Sequence, residues 1–376
     1  MTGKEKLFAA LSREGTAEIP VTMPYEGIYI RDCWDKLTDL PWWYAMSPRR
    51  EHILAFVRDI HEKLDQDWIN PPFISVGDME NAILSEEKGR VYRRDLRDGS
   101  VVEVFRPPVG GEHISQDTDG HSEGNLPYTV EEFESYKLSS AIGKDQTQLP
   151  DVGLLRAGSA LFPGRCAYGL VESPLECCFS LWGFERTMIL FHDDPELLSR
   201  AARWFLDMQR NWIRSLGDYG IGLVWVEECY SDMISPDLYR TMSLPLLREM
   251  LSEIRSAGML SVHYFTGNFN DRLHLLTETG ADALALEEGK KGFSADVIEI
   301  AEAVKGKCAL VSNLDTVNLL QIGTESELRD ELKRHRESAR VMGGRFVYGL
   351  GSSVTPGTPL ERLQTYFEMA REYGRI

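Results

Sequence analysis

Short apolar runs alternate with longer amphipathic stretches along almost the whole chain. Eight runs stand out: Ile19–Tyr25, Trp68–Phe73, Cys166–Ser173, Gly222–Glu228, Leu260–Gly267, Ala283–Gly289, Cys308–Asp315 and Arg345–Ser353. Most end in polar groups, and most are separated by a segment of helical periodicity. Eight strand–helix units predict an α/β fold, a closed (β/α)8 TIM-type barrel of parallel strands. Reactive groups of such a barrel gather at the C-terminal strand ends.

Residues 1–376 read as a single domain, with 74–150 as an insertion. Within it VYRRDLRDGSVVEVF alternates around Asp98–Gly99, a hairpin signal that does not belong in a parallel barrel. The stretch Gly110–Tyr128 reads as a mobile loop. Helix starts are signalled by Ser173-Pro-Leu-Glu176, Thr324-Glu-Ser-Glu327 and Thr358-Pro-Leu-Glu361, which fit the capping-box pattern. Trp204, Phe205, Met208 and Trp212 recur at helical steps between Pro195 and Leu216, a packing stripe.

Charge narrows the class of partner. A net charge of −18 repels nucleic acid over most of the surface. No segment approaches the roughly 18 uninterrupted apolar residues of a membrane span. The opening MTGKEKLFAALSREG is amphipathic and lacks a cleavage-site pattern, so a cytoplasmic protein is expected. Six cysteines without CxxC spacing read as buried free thiols.

Candidate chemistry lies at the ends of the runs. His263, in LSVHYFTGN, is the sharpest, because the preceding run ends in Glu227 and Glu228 and the following one in Glu287 and Glu288. A carboxylate and an imidazole on adjacent strands can reach a common cation or form an acid–base pair. One member of each glutamate pair is expected to point outwards. Asn313 and Asp315 end the next run, with a helix N-cap as the alternative role for Asp315. Tyr25 and Glu26 end the first run and are placed at the mouth. Trp42 and Trp43 read as an aromatic lid or as core, and Ser352, in YGLGSSVTPGTP, as pocket wall.

These residues sit among segments that resemble the uroporphyrinogen decarboxylase superfamily, including its corrinoid-dependent methyltransferase branch. The segments are GKEKLFAAL…EIPVTMP, ESPLECCFSLWGFERTMILFHDDPELL, SDMISPDLY, HYFTGN, SNLDTVNLL, GTESELRDEL and VYGLGSSVTPGTPLERL. The resemblance covers most of the chain and implies the same barrel.

Its departures choose the branch. Arginines that hold substrate carboxylates in the decarboxylases are missing, for the first run leads into MPYEGIYI with no arginine before Arg31. The sulfur ligands of the thiol-methylating enzymes are missing too, since the positions read His263–Tyr264–Phe265 and Ser352. An oxygen-rich site is a stronger Lewis acid than a thiolate-rich one. The resemblance therefore implies a zinc- and corrinoid-dependent O-demethylase component. It would move a methyl group from a small methoxylated, aromatic substrate to the cobalamin of a separate corrinoid protein. The expected zinc ligands are His263, Glu227, Glu228 and Glu288. The expected catalytic residues are His263, Glu228, Tyr25 and Asn313, and Tyr25, Trp42, Trp43, Asp315 and Ser352 would bind substrate. A homodimer is compatible with this reading. Two alternatives stand beside it: a metal-free decarboxylase, and a barrel that only binds a ligand or a corrinoid protein.

Overall fold

A computed structural model describes residues 1–110, 126–142, 150–289 and 292–376. Most of the Gly110–Tyr128 stretch lies outside the described residues.

The runs form a parallel sheet of seven strands: β1 (Trp68–Ile69), β5 (Cys166–Glu172), β6 (Leu223–Glu228), β7 (Leu260–Phe265), β8 (Ala283–Leu286), β9 (Ala309–Val311) and β10 (Phe346–Val347), hydrogen-bonded in that order. The first run joins both edges. On one side Tyr348 N donates to Pro20 O and Thr22 N to Tyr348 O, each at 2.8 Å. On the other, Asp67 N donates to Val21 O at 2.8 Å and Val21 N to the Asp67 carboxylate at 2.7 Å. Neither Pro20 nor Pro24 has an N–H to contribute, so this eighth member bonds through an isolated bridge rather than a ladder.

Alternation along the strands sorts side chains into two cores. Trp68, Tyr168, Trp225, Val262, Tyr264, Ala283, Ala285, Ala309, Val311 and Val347 fill the barrel, with the tryptophans and tyrosines facing the alanines. Val224, Val226, Phe265, Leu284, Leu286, Leu310 and Phe346 turn instead to the surrounding helices. The helix Gly3–Leu11 stoppers the base with Leu7, Ala10 and Leu11, and begins with a capping box between Thr2 and Glu5.

The expected hairpin is one half of a three-stranded antiparallel meander: β2 (Ala82–Glu87), β3 (Arg90–Asp95) and β4 (Val101–Val104). Lys88 and Gly89, both at positive φ, make the additional turn. Strand β2 carries Ser85, Glu86 and Glu87 exposed, which hides it from a pattern search.

The capping boxes are only partly formed. Thr324 and Glu327 make one. Ser173 caps its helix, but Glu176 turns away to accept from Cys229 N at 2.7 Å. Thr358 pairs with Thr355, leaving Pro359 at the cap position.

Candidate functional site

Each paired glutamate divides between the two sides of the barrel wall, as the two-residue period of a strand requires. On β6, Glu227 follows the inward phase of Leu223 and Trp225, and Glu228 the outward phase of Val224 and Val226. On β7, Tyr264 points inwards and His263 outwards. His263 and Glu228 therefore meet behind the wall, not in the mouth. His263 Nε2 lies 2.9 Å from Glu228 Oε2, and both side chains are fully buried. Glu228 also accepts from Tyr239 Oη at 3.0 Å, Ser231 Oγ at 2.9 Å and Ser243 Oγ at 2.5 Å. Four donors satisfy the carboxylate. Burial opposes its ionisation, but the contacts with His263, Ser243 and Ser231 prevail and hold it below the usual carboxylate range.

The four expected zinc ligands consequently fail to converge. Glu288 is buried, and its Oε1 accepts from Ser352 Oγ at 2.7 Å and Thr316 Oγ1 at 3.2 Å. Glu227 alone of the four faces the mouth. Among the described residues no three His, Cys, Asp or Glu side chains stand together as a metal-ligand group. As placed among the described residues, His263, Glu227, Glu228 and Glu288 do not form a zinc site.

Two adjoining chambers occupy the C-terminal end of the barrel. The smaller, of about 230 Å³, is lined by Tyr25, Glu227, Tyr264, Thr266, Glu287 and Ser352 among others. Tyr25, Glu227, Glu287 and Ser352 were singled out by sequence, and Tyr264 is the inward-phase neighbour of His263. Burial raises the Glu227 carboxyl, against the pull of Tyr25 and the Cys229 thiol, whose Sγ lies 3.4 Å away. Glu287 accepts from Gly267 N at 2.7 Å. Gly267 has φ of +84°, and a Cβ there would meet Asp232 Oδ2 at 2.1 Å, so the turn after β7 requires glycine.

Tyr25 and Ile28 line both chambers. Tyr25 adopts left-handed backbone, φ 54° and ψ 37°, before the helix Glu26–Asp32. That conformation costs a bulky residue about 1–3 kcal/mol. Here it sets the Tyr25 ring against Tyr264, with centroids 5.6 Å apart, while the next side chain enters the larger chamber.

The larger chamber, of about 390 Å³, is walled by Ile30, Trp34, Trp42, Phe56, Pro72 and Leu170. Two buried polar groups, Glu26 and His61, stand in this apolar setting. Glu26 Oε1 accepts from Asn70 N at 2.9 Å and lies 3.8 Å from His61 Nε2, and Oε2 accepts from the Gln66 amide. Burial pushes Glu26 up to about 7, although Asn70, Gln66 and Arg165 act in the opposite direction. Burial, with the Arg165 charge, pushes His61 down to about 3, so its imidazole is neutral. Glu26 was legible as a mouth residue; His61 was not, because a histidine inside a helical stripe looks like any core position.

Other expected residues are placed as follows. Trp42 lines the apolar chamber. Trp43 leaves it, donating from Nε1 to Glu86 of β2 at 3.1 Å. Asn313 Nδ2 donates to Ala295 O at 2.9 Å, a loop tie. Asp315 is a helix N-cap, accepting from Val317 N and Asn318 N. Ser352 reaches the smaller chamber.

A family model described as uroporphyrinogen decarboxylase (URO-D) matches residues 125–373. A curated uroporphyrinogen decarboxylase of Thermus thermophilus is 24% identical over 77% of this chain and 73% of its own length. The chloroplastic uroporphyrinogen decarboxylase 2 of Arabidopsis thaliana is 21% identical over 77% and 68%. A solved methyltransferase from Methanosarcina mazei superposes with a TM-score of 0.67 at 18% identity, covering 99% of both chains, a likeness of fold. No helix among the described residues is long and apolar enough to cross a membrane.

Proposed function

The chain belongs to the uroporphyrinogen decarboxylase family, and from that premise we propose that it is a methyltransferase for a small aromatic methyl ether. The observation that carries the reading is the carboxyl of Glu26, raised by burial, which stands beside His61 in an apolar chamber with room for an aromatic ring. The reaction class follows the methyltransferase whose barrel the chain shares along its length.

Porphyrinogen chemistry suits this site poorly. A polycarboxylate substrate needs cations, yet the mouth presents Glu227 and Glu287, and the two arginines of the larger chamber are engaged. Arg31 pairs with Asp32 at 2.7 Å and Arg106 with Asp35 at 2.8 Å. A neutral arene loses little by entering a wall of Trp34, Trp42 and Phe56.

An aryl ether gives up its methyl group readily only if the oxygen leaves as a neutral phenol. Protonated Glu26 donates a proton to that oxygen as the carbon–oxygen bond breaks, leaving a carboxylate that already accepts from Asn70 N and the Gln66 amide. Tyr25 forms the partition between ring and mouth, where a nucleophile would meet the methyl carbon. A corrinoid carried by a separate protein would supply that nucleophile. General-acid assistance thus takes the place of the Lewis acid, and no step needs His263 or zinc.

The test is release of phenol from methoxybenzene in the presence of reduced cobalamin, with and without Glu26→Gln. Phenol from the wild type, reduced at least a hundredfold in the variant, supports the reading. Carbon dioxide release from an aromatic acid without phenol formation favours the second reading, a metal-free decarboxylase, which the names of the curated relatives favour.

A further inference from the structure

At the opposite end of the barrel a cleft of about 530 Å³ is lined by Arg13, Lys305, Lys307 and Arg345, with Gly306 and Gly343 in its walls. We propose that this cleft binds a small polyphosphate-bearing anion. It is separate from the chambers at the mouth. Arg13 follows the helix that stoppers the barrel base, Lys307 lies two residues before β9, and Arg345 directly precedes β10. These are N-terminal strand ends, where barrels place stability rather than catalysis.

Four observations point to an anion. In a chain of net charge −18, four cations surround one depression and no carboxylate lines it. None of the four makes an ion pair with a carboxylate within 4.0 Å among the described residues. Arginines elsewhere on this surface pair freely, as Arg334 does with Glu331 and Arg340 with Glu337. Asp282, beside the start of β8, is committed to Ser261 at 2.8 and 3.0 Å. Arg345 is also anchored, its Nε donating to Ser12 O at 2.8 Å, so its guanidinium is ordered before any ligand arrives.

The bland explanation is that these cations complement helix C-termini, since the helices Val297–Val304 and Glu325–Val341 both end here. With the end of Gly3–Leu11 just before Arg13, three such ends carry roughly −0.5 charge each. Four side-chain charges exceed that by about 2.5, a surplus suited to a di- or triphosphate rather than a single carboxylate. The terminal carbonyls are also satisfied already, with Lys307 N donating to Val304 O and Gly343 N to Arg340 O, both at 3.0 Å. The volume lies inside the roughly 300–1,000 Å³ range of small-ligand sites.

The probe is inorganic tripolyphosphate, titrated calorimetrically into the full chain at low and high salt. Saturable one-site binding is expected, weaker at high salt because the cations face solvent. The double variant Lys305→Ala/Lys307→Ala should bind about tenfold more weakly, the scale of two solvent-facing charge contacts. Lys333→Ala, whose amine pairs with Asp330 away from the cleft, should bind as the wild type does. Parallel titrations with ATP separate the two sources of the chemistry: equal affinity assigns recognition to the phosphates, and tighter binding adds the nucleoside. The absence of saturable binding at low salt, or equal affinity in the double variant, overturns the proposal. Both variants alter exposed side chains, so circular dichroism can verify folding first.

Discussion

His263 Nε2 and Glu228 Oε2 lie 2.9 Å apart, fully buried between the barrel wall and its helices. An ionised carboxylate only accepts, so the imidazole carries its proton on Nε2. Strands β6 and β7 are joined here from behind, through a carboxylate that also gathers Tyr239, Ser231 and Ser243 from the following segment. The pair positions the two strand ends whose inward neighbours, Glu227 and Tyr264, face the mouth.

Removing one partner leaves the other buried without its bond. His263→Ala should therefore destabilise the protein by about 3–5 kcal/mol. Turnover of the molecules that remain folded should stay within about threefold of wild type. Urea unfolding gives the first quantity. Turnover below the unfolding transition, normalised to folded protein, gives the second, and a hundredfold loss would return His263 to the chemistry.

Glu26 links activity to stability through pH. Its carboxyl is raised from 4.5 to about 7 in the native state, which keeps a proton the unfolded chain has released. Stability therefore falls as pH rises between those values, by up to about 3 kcal/mol, and is flat above. His61, lowered to about 3, works in the other direction from there up to about 6.5. The informative measurement is the difference between wild type and Glu26→Gln. The variant should gain relative stability as pH increases from 5 to 8, while wild-type turnover declines above about 7. A pH-independent difference would remove Glu26 from both roles.

Trp42 contributes wall rather than chemistry. Trp42→Ala should raise KM for methoxybenzene about tenfold and leave kcat within about twofold, the pattern of lost uniform binding. Trp43→Ala, whose indole reaches Glu86 on the antiparallel sheet, should change neither. Steady-state kinetics of the two variants discriminates between them.

The turn after β7 is a separate point of fragility. Gly267→Ala places a methyl group against Asp232 and strains a positive-φ residue, which should cost more than about 2 kcal/mol. The same change displaces the amide that holds Glu287 in the mouth, so KM or kcat should suffer alongside the melting temperature. Differential scanning calorimetry and kinetics on one preparation give both values.

Much of the architecture could be read along the chain. Each of the eight runs became a barrel member, and the Asp98–Gly99 turn does join two antiparallel strands, because strand alternation and turn chemistry are local properties. The N-cap alternative for Asp315 was equally local and is what the structure contains. Strand β2 escaped because a solvated strand with charges at successive positions carries no apolar alternation.

The site was less legible, for a physical reason contained in the dipeptides themselves. Glu227–Glu228 and Glu287–Glu288 declare that a carboxylate is present at each strand end without declaring which of the two looks into the barrel. The sequence by itself determined the parallel barrel, its acidic strand ends and the prominence of His263 and Tyr25. Only the tertiary structure decided that His263 and Glu228 share the outward phase, that Glu26 meets His61 from a helix some thirty-five positions later, and that Arg13 and Arg345 flank one cleft. Periodicity is a property of neighbours in the chain; the phase of a strand and the convergence of distant side chains are set by which surfaces close upon each other.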